Sequence, residues 1–192
     1  MKANIYLMNR KLEGNAAKDE PTGLRFLDEI NPRLLSNNFL IPFVLAVWEE
    51  YYRATFAAVL RYADKREAVL KKARLSHAQL EQIAVEKQIE RSIAECFAFQ
   101  RPSMIGDNFK LIDARLDLAS AMRKPYRKRK TTLYDSIEGL VEGRNAFVHV
   151  GEMDMTLFDK RLETVLNDVV VAVDRSYDAI GVHFGFTPIR NY

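Results

Sequence analysis

The sequence predicts an all-α fold, an antiparallel bundle of about five to six helices in a single domain that spans residues 1–192. In several long segments the apolar residues recur every three or four positions, which is the spacing of one face of an α-helix. Two helix starts are marked by capping boxes, Ser76 with Gln79 and Thr132 with Asp135. Gly151 marks a helix end, because many helices stop at a glycine in the left-handed conformation.

The composition is that of a globular protein large enough to bury a core, with 48% of the 192 residues apolar and 29% charged. Cys96 is the only cysteine, which excludes an internal disulfide bond and a cysteine-based zinc site. The longest apolar stretch, residues 39–48, is about half the length of a membrane span, so we expect a core helix there and no membrane segment. The N-terminal apolar run is too short for a signal peptide, and we expect a cytoplasmic protein.

The N-terminal third is predicted to contain an arm and two helices. Residues 1–20 are polar and poorly periodic, as in a flexible arm, with a short strand over residues 4–8 as the alternative. A short helix is predicted over residues 24–35, ragged because of Pro32. A longer helix is predicted over residues 39–64, or on to Lys72, with Pro42 near its first turn. Its apolar positions recur at Phe43, Val47, Tyr51, Ala54, Ala58 and Tyr62.

The middle of the chain is predicted to form two helices, over residues 77–99 and 103–121. The first has a buried stripe at Leu80, Ile83, Ala84, Ile89, Ile93, Cys96 and Phe97. Asp113 and Asp117 lie four residues apart in the second, as two metal ligands on one helix would. Because no third ligand has a matching spacing, we interpret them as salt-bridging surface acids, and we predict no metal and no cofactor.

The C-terminal third is predicted to contain a loop and two long helices. The loop covers residues 122–131, and a helix over residues 133–150 follows it. The last helix, over residues 157–182, is predicted to be capped by the segment from Thr156 to Asp159 and to pack antiparallel to its predecessor. Its amphipathic stripe comprises Leu162, Val165, Leu166, Val169, Val173, Tyr177 and Ile180.

Three polar residues near the end of the helix over residues 133–150 are the strongest functional signal. Asn145 and His149 share one helix face, and the long side chain of Arg144 extends to it from the side. This trio suits a phosphodiester, because a guanidinium binds the non-bridging oxygens and an imidazole exchanges protons near neutral pH. The bare spacing of Arg144 and His149 is expected by chance in roughly one chain in four, and the adjacent Asn145 makes it more specific.

The segment Arg144-Asn-Ala-Phe-Val-His149 resembles the Arg-Asn-x3-His form of the HEPN superfamily signature. Leu45-Ala-Val-Trp48-Glu49-Glu50 is similar to the Trp-Glu helix of some prokaryotic toxin and phage-defence branches. The resemblance implies a helical bundle, metal-independent RNA cleavage in many members, and a homodimer with one composite groove. It also implies a neutralising partner, an antitoxin or a nucleotidyltransferase, and some members bind RNA or nucleotides without cutting them.

The two acids of that segment have two interpretations. Trp48 is interpreted as a core residue, and Glu49 and Glu50 as part of a solvated face, which is the usual position of such acids. The resemblance instead implies that one of the two acids points toward the helix that carries His149 and supports the site.

The loop over residues 122–131 is strongly basic, with six cations and one tyrosine in eight residues. A charge run is usually no more than a solvated segment. This one directly precedes the helix over residues 133–150, which we call the motif helix, and could lie beside the groove that the resemblance implies. Cations bind a nucleic-acid backbone and an aromatic ring stacks on a base, so RNA binding that weakens steeply with salt is predicted. The candidate RNA-binding residues are Arg123, Lys124, Tyr126, Arg127, Lys128, Arg129 and Lys130.

Gly139 and Gly143 lie one turn apart on the motif helix. Glycine inside a helix costs roughly 0.5–1 kcal/mol relative to alanine, so two such residues predict close approach of another helix, within or between subunits. Simple tolerance of the two glycines is the alternative.

Three functional hypotheses are consistent with the sequence. The first is a metal-independent endoribonuclease, with His149 as general acid or base, Arg144 stabilising charge on the phosphoryl oxygens, and Asn145 holding His149 or the substrate. The second is a non-catalytic module that binds RNA, a nucleotide or a partner protein through the same groove. The third is an interaction scaffold, in which His149 is only a helix-terminal histidine stabilised by the helix dipole.

Overall fold

The computed structural model describes residues 31–63, 66–86 and 89–189, and within these ranges the chain forms eight α-helices and no strand. The predicted all-α fold is confirmed. The arm predicted over residues 1–20 lies outside the described residues. The helices are α1 (Pro32–Arg61), α2 (Glu67–Lys72), α3 (His77–Glu86), α4 (Ile89–Glu95), α5 (Pro102–Ile112), α6 (Leu118–Arg123), α7 (Leu133–Asn145), which continues into a π-turn over Ala146–Val150, and α8 (Asp159–Phe184). No helix in the described ranges has the length and hydrophobicity needed to cross a membrane.

Helix α1 is one helix of 30 residues, where a break between two helices was predicted. It begins at Pro32, and the side chain of Asn31 caps it by accepting a hydrogen bond from the N–H of Arg33 (2.9 Å). Pro42 lies in the helix interior rather than near its first turn, and it removes one backbone hydrogen bond there. The predicted break was wrong because side chains on both sides of Pro42 are buried, and tertiary packing outweighs the lost bond.

The core is built around aromatic residues of α1. Trp48, Tyr52 and Phe56 are at most 1% exposed, which confirms Trp48 as a core residue. The indole N–H of Trp48 donates to the carbonyl of Gln100 (3.2 Å), and the Tyr52 hydroxyl is hydrogen-bonded to that of Ser176 on α8 (2.7 Å). Burial raises the pKa of Tyr52 far above its usual range, so this hydroxyl stays neutral. The ring of Phe56 packs on those of Phe97, Phe99 and Phe109.

The predicted apolar stripe of α1 faces outward along much of its length. Phe43, Val47 and Tyr62 are 69%, 71% and 76% exposed. Helical periodicity shows which residues share a face, and in a helix with apolar residues on several faces it does not show which face is buried. The buried face is instead formed by Leu34, Ile41, Leu45, Trp48, Tyr52, Phe56, Val59 and Leu60.

The helix predicted over residues 103–121 occurs as two shorter ones, α5 and α6, and the helix predicted over residues 77–99 is described as α3 and α4, with residues 87–88 outside the described ranges and an end at Glu95. The Ser76–Gln79 capping box opens α3 as predicted, but Leu80 and Ile89 are about half exposed rather than buried. Between α5 and α6 the chain leaves the helix at Asp113 and re-enters it after Asp117, whose side chain caps α6.

Asp113 and Asp117 are confirmed as salt-bridging acids. Asp113 pairs with Arg115 (2.9 Å), and hydrogen bonds from the Arg115 side chain and backbone hold the pKa of Asp113 well below its usual range. Asp117 pairs with Lys110 (2.7 Å). Among the residues that the structure describes, no group of three acids, histidines or cysteines is arranged to hold a metal ion.

The loop between the π-turn and α8 is bound to the start of α1 by two buried amides. Asn38 exchanges two hydrogen bonds with the backbone of Asp154, donating to its carbonyl (3.1 Å) and accepting from its N–H (2.9 Å). The side chain of Asn37 donates to the carbonyl of Leu157 (2.9 Å). We refer to these contacts as the asparagine clamp.

Helix α8 starts without the predicted cap. The hydroxyl and N–H of Thr156 both donate to Asp154 instead, so Thr156 closes the preceding turn rather than the helix. The carboxylate of Asp159, in the first turn, binds the guanidinium of Arg33 on α1 at 2.6–3.0 Å. This contact lowers the pKa of Asp159 to about 2.

Helix α8 packs antiparallel to α7, as predicted, because Ser136 near the start of α7 contacts Asp168 in the middle of α8, and a loop of only eight residues, 151–158, joins the end of the π-turn to the start of α8. The centre of the buried face of α8 is a line of residues four apart, Asp168, Ala172, Ser176 and Ile180. Apart from Ile180, the larger residues of the predicted stripe lie at the edges of this line and are only partly buried.

We expect Thr132→Ala to lower the free energy of unfolding by about 1 kcal/mol, because it removes the capping box of α7. The Thr132 hydroxyl accepts from the N–H of Asp135 (3.1 Å), and the Asp135 carboxylate accepts from the N–H of Thr132 (3.2 Å). Urea unfolding followed by circular dichroism measures the change. The control is Thr131→Ala at the exposed neighbouring threonine, for which we expect a change within about 0.5 kcal/mol. Equal losses in both variants would contradict the capping role.

Candidate functional site

The end of the motif helix differs from the predicted α-helix. From Ala146 to Val150 the backbone forms a π-turn, which ends at Gly151 with a φ of +75°. The left-handed stop at Gly151 confirms the predicted helix end. A π-turn closes its hydrogen bonds across five residues, so it brings residues five apart, such as Arg144 and His149, closer to one face than an α-helix does. Such turns within helices are frequent at functional sites.

Arg144 lies at the centre of a small polar cluster. One terminal nitrogen donates to the side-chain oxygen of Asn145 (3.0 Å), and the other lies 3.9 Å from a carboxylate oxygen of Glu49 on α1. The side chains of Arg144 and Glu49 are 19% and 18% exposed, so this pair is shielded from bulk water. The facing Glu49 oxygen is buried and has no hydrogen-bond partner among the described residues.

The two candidate acids therefore have different surroundings. Glu49 points toward the motif helix rather than into solvent, which the interpretation as a solvated face did not anticipate. Glu50 is half exposed and pairs with Arg91 (2.7 Å) and Arg53 (3.0 Å), away from the motif. The hydrogen bond from Arg91 lowers the pKa of Glu50, although burial opposes the shift. Of the two acids, only Glu49 is placed to affect Arg144.

His149 is exposed in the π-turn. Within the described part of the chain no hydrogen bond or ion pair holds its ring, and the Asn145 oxygen bonds to Arg144 rather than to it. The fold therefore brings Glu49, Arg144 and Asn145 together, and it leaves His149 at the adjacent surface.

A groove of about 370 Å³ runs beside the cluster between α1, α7 and α8. Gly139 and Gly143 line it, and a Cβ atom added at either position would have no atom within 4 Å. The predicted close approach of another helix at these glycines therefore does not occur among the described residues of the chain. The groove is also lined by three arginines, Arg129, Arg144 and Arg161.

The basic loop reaches the groove through Arg129, which forms an ion pair with a buried acid. Its guanidinium bonds to Asp168 (2.6 Å), a carboxylate on α8 that is 2% exposed and also accepts from the Ser136 hydroxyl (2.7 Å). The ring of Tyr126 lies within 5.4 Å of three guanidinium groups, and its hydroxyl accepts from Asn167 (2.9 Å). Tyr126 is therefore packed into the loop and is not presented as a free stacking surface.

The other cations of the loop point outward. Arg127 and Lys128 have φ angles of +49° and +57°, and these left-handed conformations form the tip of the turn. Arg123 ends α6 and stacks over the ring of Tyr134 at 3.9 Å. The exposed charges available to an anionic partner belong to Arg123, Lys124, Arg127, Lys128 and Lys130.

An apolar surface lies next to the π-turn. Phe39 of α1 contacts the ring of Phe147 edge-on at 5.1 Å, and Phe39, Phe43 and Val148 are 52%, 69% and 52% exposed. With Leu35, Pro42 and Met153 they line a depression of about 580 Å³. We call it the Phe43 surface. Exposed apolar patches of this kind are typical of protein–protein contacts.

Three residues of the site were not predicted from the sequence. Asp168 could have been recognised from the sequence as a candidate buried acid, because it lies within the otherwise apolar stripe of the last helix. Arg161 and Asp154 pair across the groove (3.1 Å), and their spacing carried no signal. Burial alone would raise the pKa of Asp154, but hydrogen bonds from Thr156 and the charge of Arg161 outweigh it and lower the pKa.

No protein-family model, curated protein or solved structure significantly matches the chain.

Proposed function

We propose that the protein is a metal-independent RNA endonuclease of the HEPN type, acting in the cytoplasm as a toxin or defence ribonuclease. The observation that supports it best is the cluster of Glu49, Arg144 and Asn145, one helical turn from the accessible imidazole of His149. Cleavage of a phosphodiester is helped by a guanidinium that binds the phosphoryl oxygens and by a group that transfers protons, and both lie here beside an open groove. The exposed cations of the basic loop supply sequence-independent attraction for the RNA backbone.

In the proposed reaction the ribose 2′-hydroxyl attacks the adjacent phosphorus, and the bond from phosphorus to the 5′-oxygen breaks. A base removes the 2′-hydroxyl proton, and an acid delivers a proton to the leaving 5′-oxygen. The products are a 2′,3′-cyclic phosphate and a free 5′-hydroxyl. Arg144 binds the phosphoryl oxygens, where its interaction is strong because the groove limits access of water. Glu49 keeps the Arg144 guanidinium in position.

A homodimer belongs to this proposal, because one protomer offers one imidazole for two proton transfers. His149 and the Phe43 surface lie side by side at the π-turn, so a two-fold contact through that surface would bring two copies of His149 together. The open flank of Gly139 and Gly143 gives a second chain, or the RNA backbone, room for close approach. A neutralising antitoxin or nucleotidyltransferase would act by covering the same region.

A non-catalytic module that binds RNA, a nucleotide or a partner protein is the second candidate. One observation favours it: within the described chain no carboxylate or amide orients the His149 ring, whereas general acid–base histidines are usually held by such a partner. A nuclease and an RNA-binding module would both bind RNA, but only the nuclease would cleave it.

Incubation with a single-stranded RNA oligonucleotide in EDTA tests the proposal. We expect cleavage, with mass spectrometry identifying 2′,3′-cyclic phosphate ends. The matched substrate carries one 2′-deoxyribose at the cleaved position and should remain intact there, since the nucleophile is missing. Cleavage at the deoxy position, or RNA that is bound but never cut, would reject the nuclease and favour the binding module.

The dimer is tested at Phe43, which is exposed enough to be changed without loss of the core. We expect Phe43→Asp to convert the dimer to a monomer in analytical ultracentrifugation and to reduce RNA cleavage about tenfold or more, because it puts a charge into an apolar contact. The control is Val182→Asp, at an α8 position that is 85% exposed and outside the Phe43 surface. A Phe43→Asp protein that remains dimeric would place the contact elsewhere.

A further inference from the structure

A second and larger pocket lies between the second halves of α1 and α8, away from the motif. Its volume is about 840 Å³, in the range of sites for drug-sized ligands. The two helices run side by side and parallel, since the start of α1 contacts the start of α8 and Tyr52 contacts Ser176 further along both. The lining extends over residues 51–62, at the end of α1, and over residues 173–184 of α8. Each stretch has a helical rise of about 16 Å, so the pocket is elongated along the helix pair.

The wall after α8 is built by a close approach. Gly185 turns the chain back with a φ of +71°, and the N–H of Phe186 donates to the carbonyl of Gly181 (3.0 Å). Pro188 then lies against Gly181, so that a Cβ atom there would be 2.8 Å from the proline ring. The ring of Phe186 packs on that of Tyr177 at 6.0 Å. The pocket is therefore formed by the chain itself and is not only a gap between two helices.

The described part of the lining is mostly apolar and holds no uncompensated charge. Its aromatic side chains are Tyr51, Tyr62, Tyr177, Phe184 and Phe186. Among the described residues of the lining, Asp174 is the only one with a formal charge, and it already has an interaction partner in the protein. A charged ligand would lose its hydration here without gaining a counter-charge, and this loss is costly for a cation and for an anion. The lining therefore favours a ligand without a formal charge.

From this shape and lining we propose that the pocket binds a linear apolar chain with an uncharged head, such as a fatty alcohol or an acyl ester. An extended chain contacts an elongated pocket along its whole length, and each methylene group that it buries adds to the affinity. The uncharged head stays at the rim, where Tyr62, which is 76% exposed, offers a hydroxyl group for hydrogen bonding. This site is independent of the proposed nuclease activity.

Isothermal titration of the full chain with the straight-chain alcohols hexanol, octanol and decanol tests the proposal. We expect the affinity to rise about fourfold with each added methylene group, because each one buries further apolar surface. Octanoate and octylammonium have the chain length of octanol but carry opposite charges, and each should bind about tenfold or more weakly than octanol. No binding of the alcohols, an affinity that does not rise with chain length, or a charged probe that binds as tightly as octanol would overturn the proposal.

Two matched substitutions on α1 test where the alcohol binds. Ala58 lines the pocket and is exposed, so Ala58→Phe should fill the pocket without disturbing the core. We expect it to weaken octanol binding about tenfold or more, because the ring takes the place of several methylene groups. The control is Ala54→Phe, one turn earlier on α1, at a position that is also exposed and lies outside the described lining, and it should leave the affinity unchanged. Equal affinities of the two variants for octanol would contradict binding in this pocket.

Discussion

Replacing His149 with alanine is expected to lower the rate of RNA cleavage about a hundredfold or more, because general acid–base catalysis by one side chain contributes about 10²–10⁴ in rate. RNA affinity should change by less than about threefold, since the exposed cations of the basic loop remain in place. Single-turnover cleavage in EDTA measures the rate, and fluorescence anisotropy with an RNA whose reactive 2′-hydroxyl is replaced by hydrogen measures binding. This combination separates an enzyme from a binding module.

The chain offers a matched control in His77. This histidine is also exposed, lies in the first turn of α3, and pairs with Glu81 one turn further along that helix (3.3 Å). His77→Ala should leave both cleavage and binding unchanged. If His149→Ala instead lost affinity and cleavage in parallel, or if both variants behaved alike, His149 would not be the proton-transfer group.

Replacing Arg129 with methionine is expected to lower the free energy of unfolding by about 3 kcal/mol, because it leaves the buried carboxylate of Asp168 without its cationic partner. The Ser136 hydroxyl would remain as one hydrogen-bond donor to that carboxylate. Methionine keeps much of the apolar volume of the arginine side chain, so the loss reports on charge rather than on a cavity. Urea unfolding followed by circular dichroism gives the value.

Lys128→Met is the control, since Lys128 is the exposed neighbour in the same loop, and it should change stability by less than about 0.5 kcal/mol. The double variant Arg129→Met with Asp168→Leu should regain most of the loss, because an apolar pair of similar volume often replaces a buried ion pair without cost. A stable Arg129→Met protein with weakened RNA binding would mean that Arg129 serves RNA rather than the fold.

Features that depend on neighbouring residues were predictable. The capping box at Thr132 and the left-handed stop at Gly151 were found because their signals lie within a few residues of one another. The break between α5 and α6 was also local, and Asp117 three residues before Ser120 is a recognisable cap. It was missed because the apolar periodicity continued across it.

Features that depend on packing were not predictable. Phe43 and Trp48 lie on equally periodic faces of α1, and only the contacts of α1 with the other helices decide that Trp48 is buried. The same holds for the site: Arg144 and Asn145 are adjacent in sequence, whereas the approach of Glu49 requires α1 to pack on α7. The π-turn brings Arg144 and His149 closer to one face of the helix, and no residue in the segment from Ala146 to Val150 predicts a π-turn.

The asparagine clamp has a consequence for local unfolding. Because Asn37 and Asn38 bind the loop after the π-turn to the start of α1, that loop cannot detach without exposing two buried amides and the backbone groups they satisfy. The loop and the first turns of α1 should therefore open as one cooperative unit, and their amide hydrogens should exchange with solvent at similar rates. The loop after the π-turn should therefore open as rarely as the start of α1, although a segment at a helix end would otherwise fray. The π-turn is then held on one side by α7 and on the other by this loop.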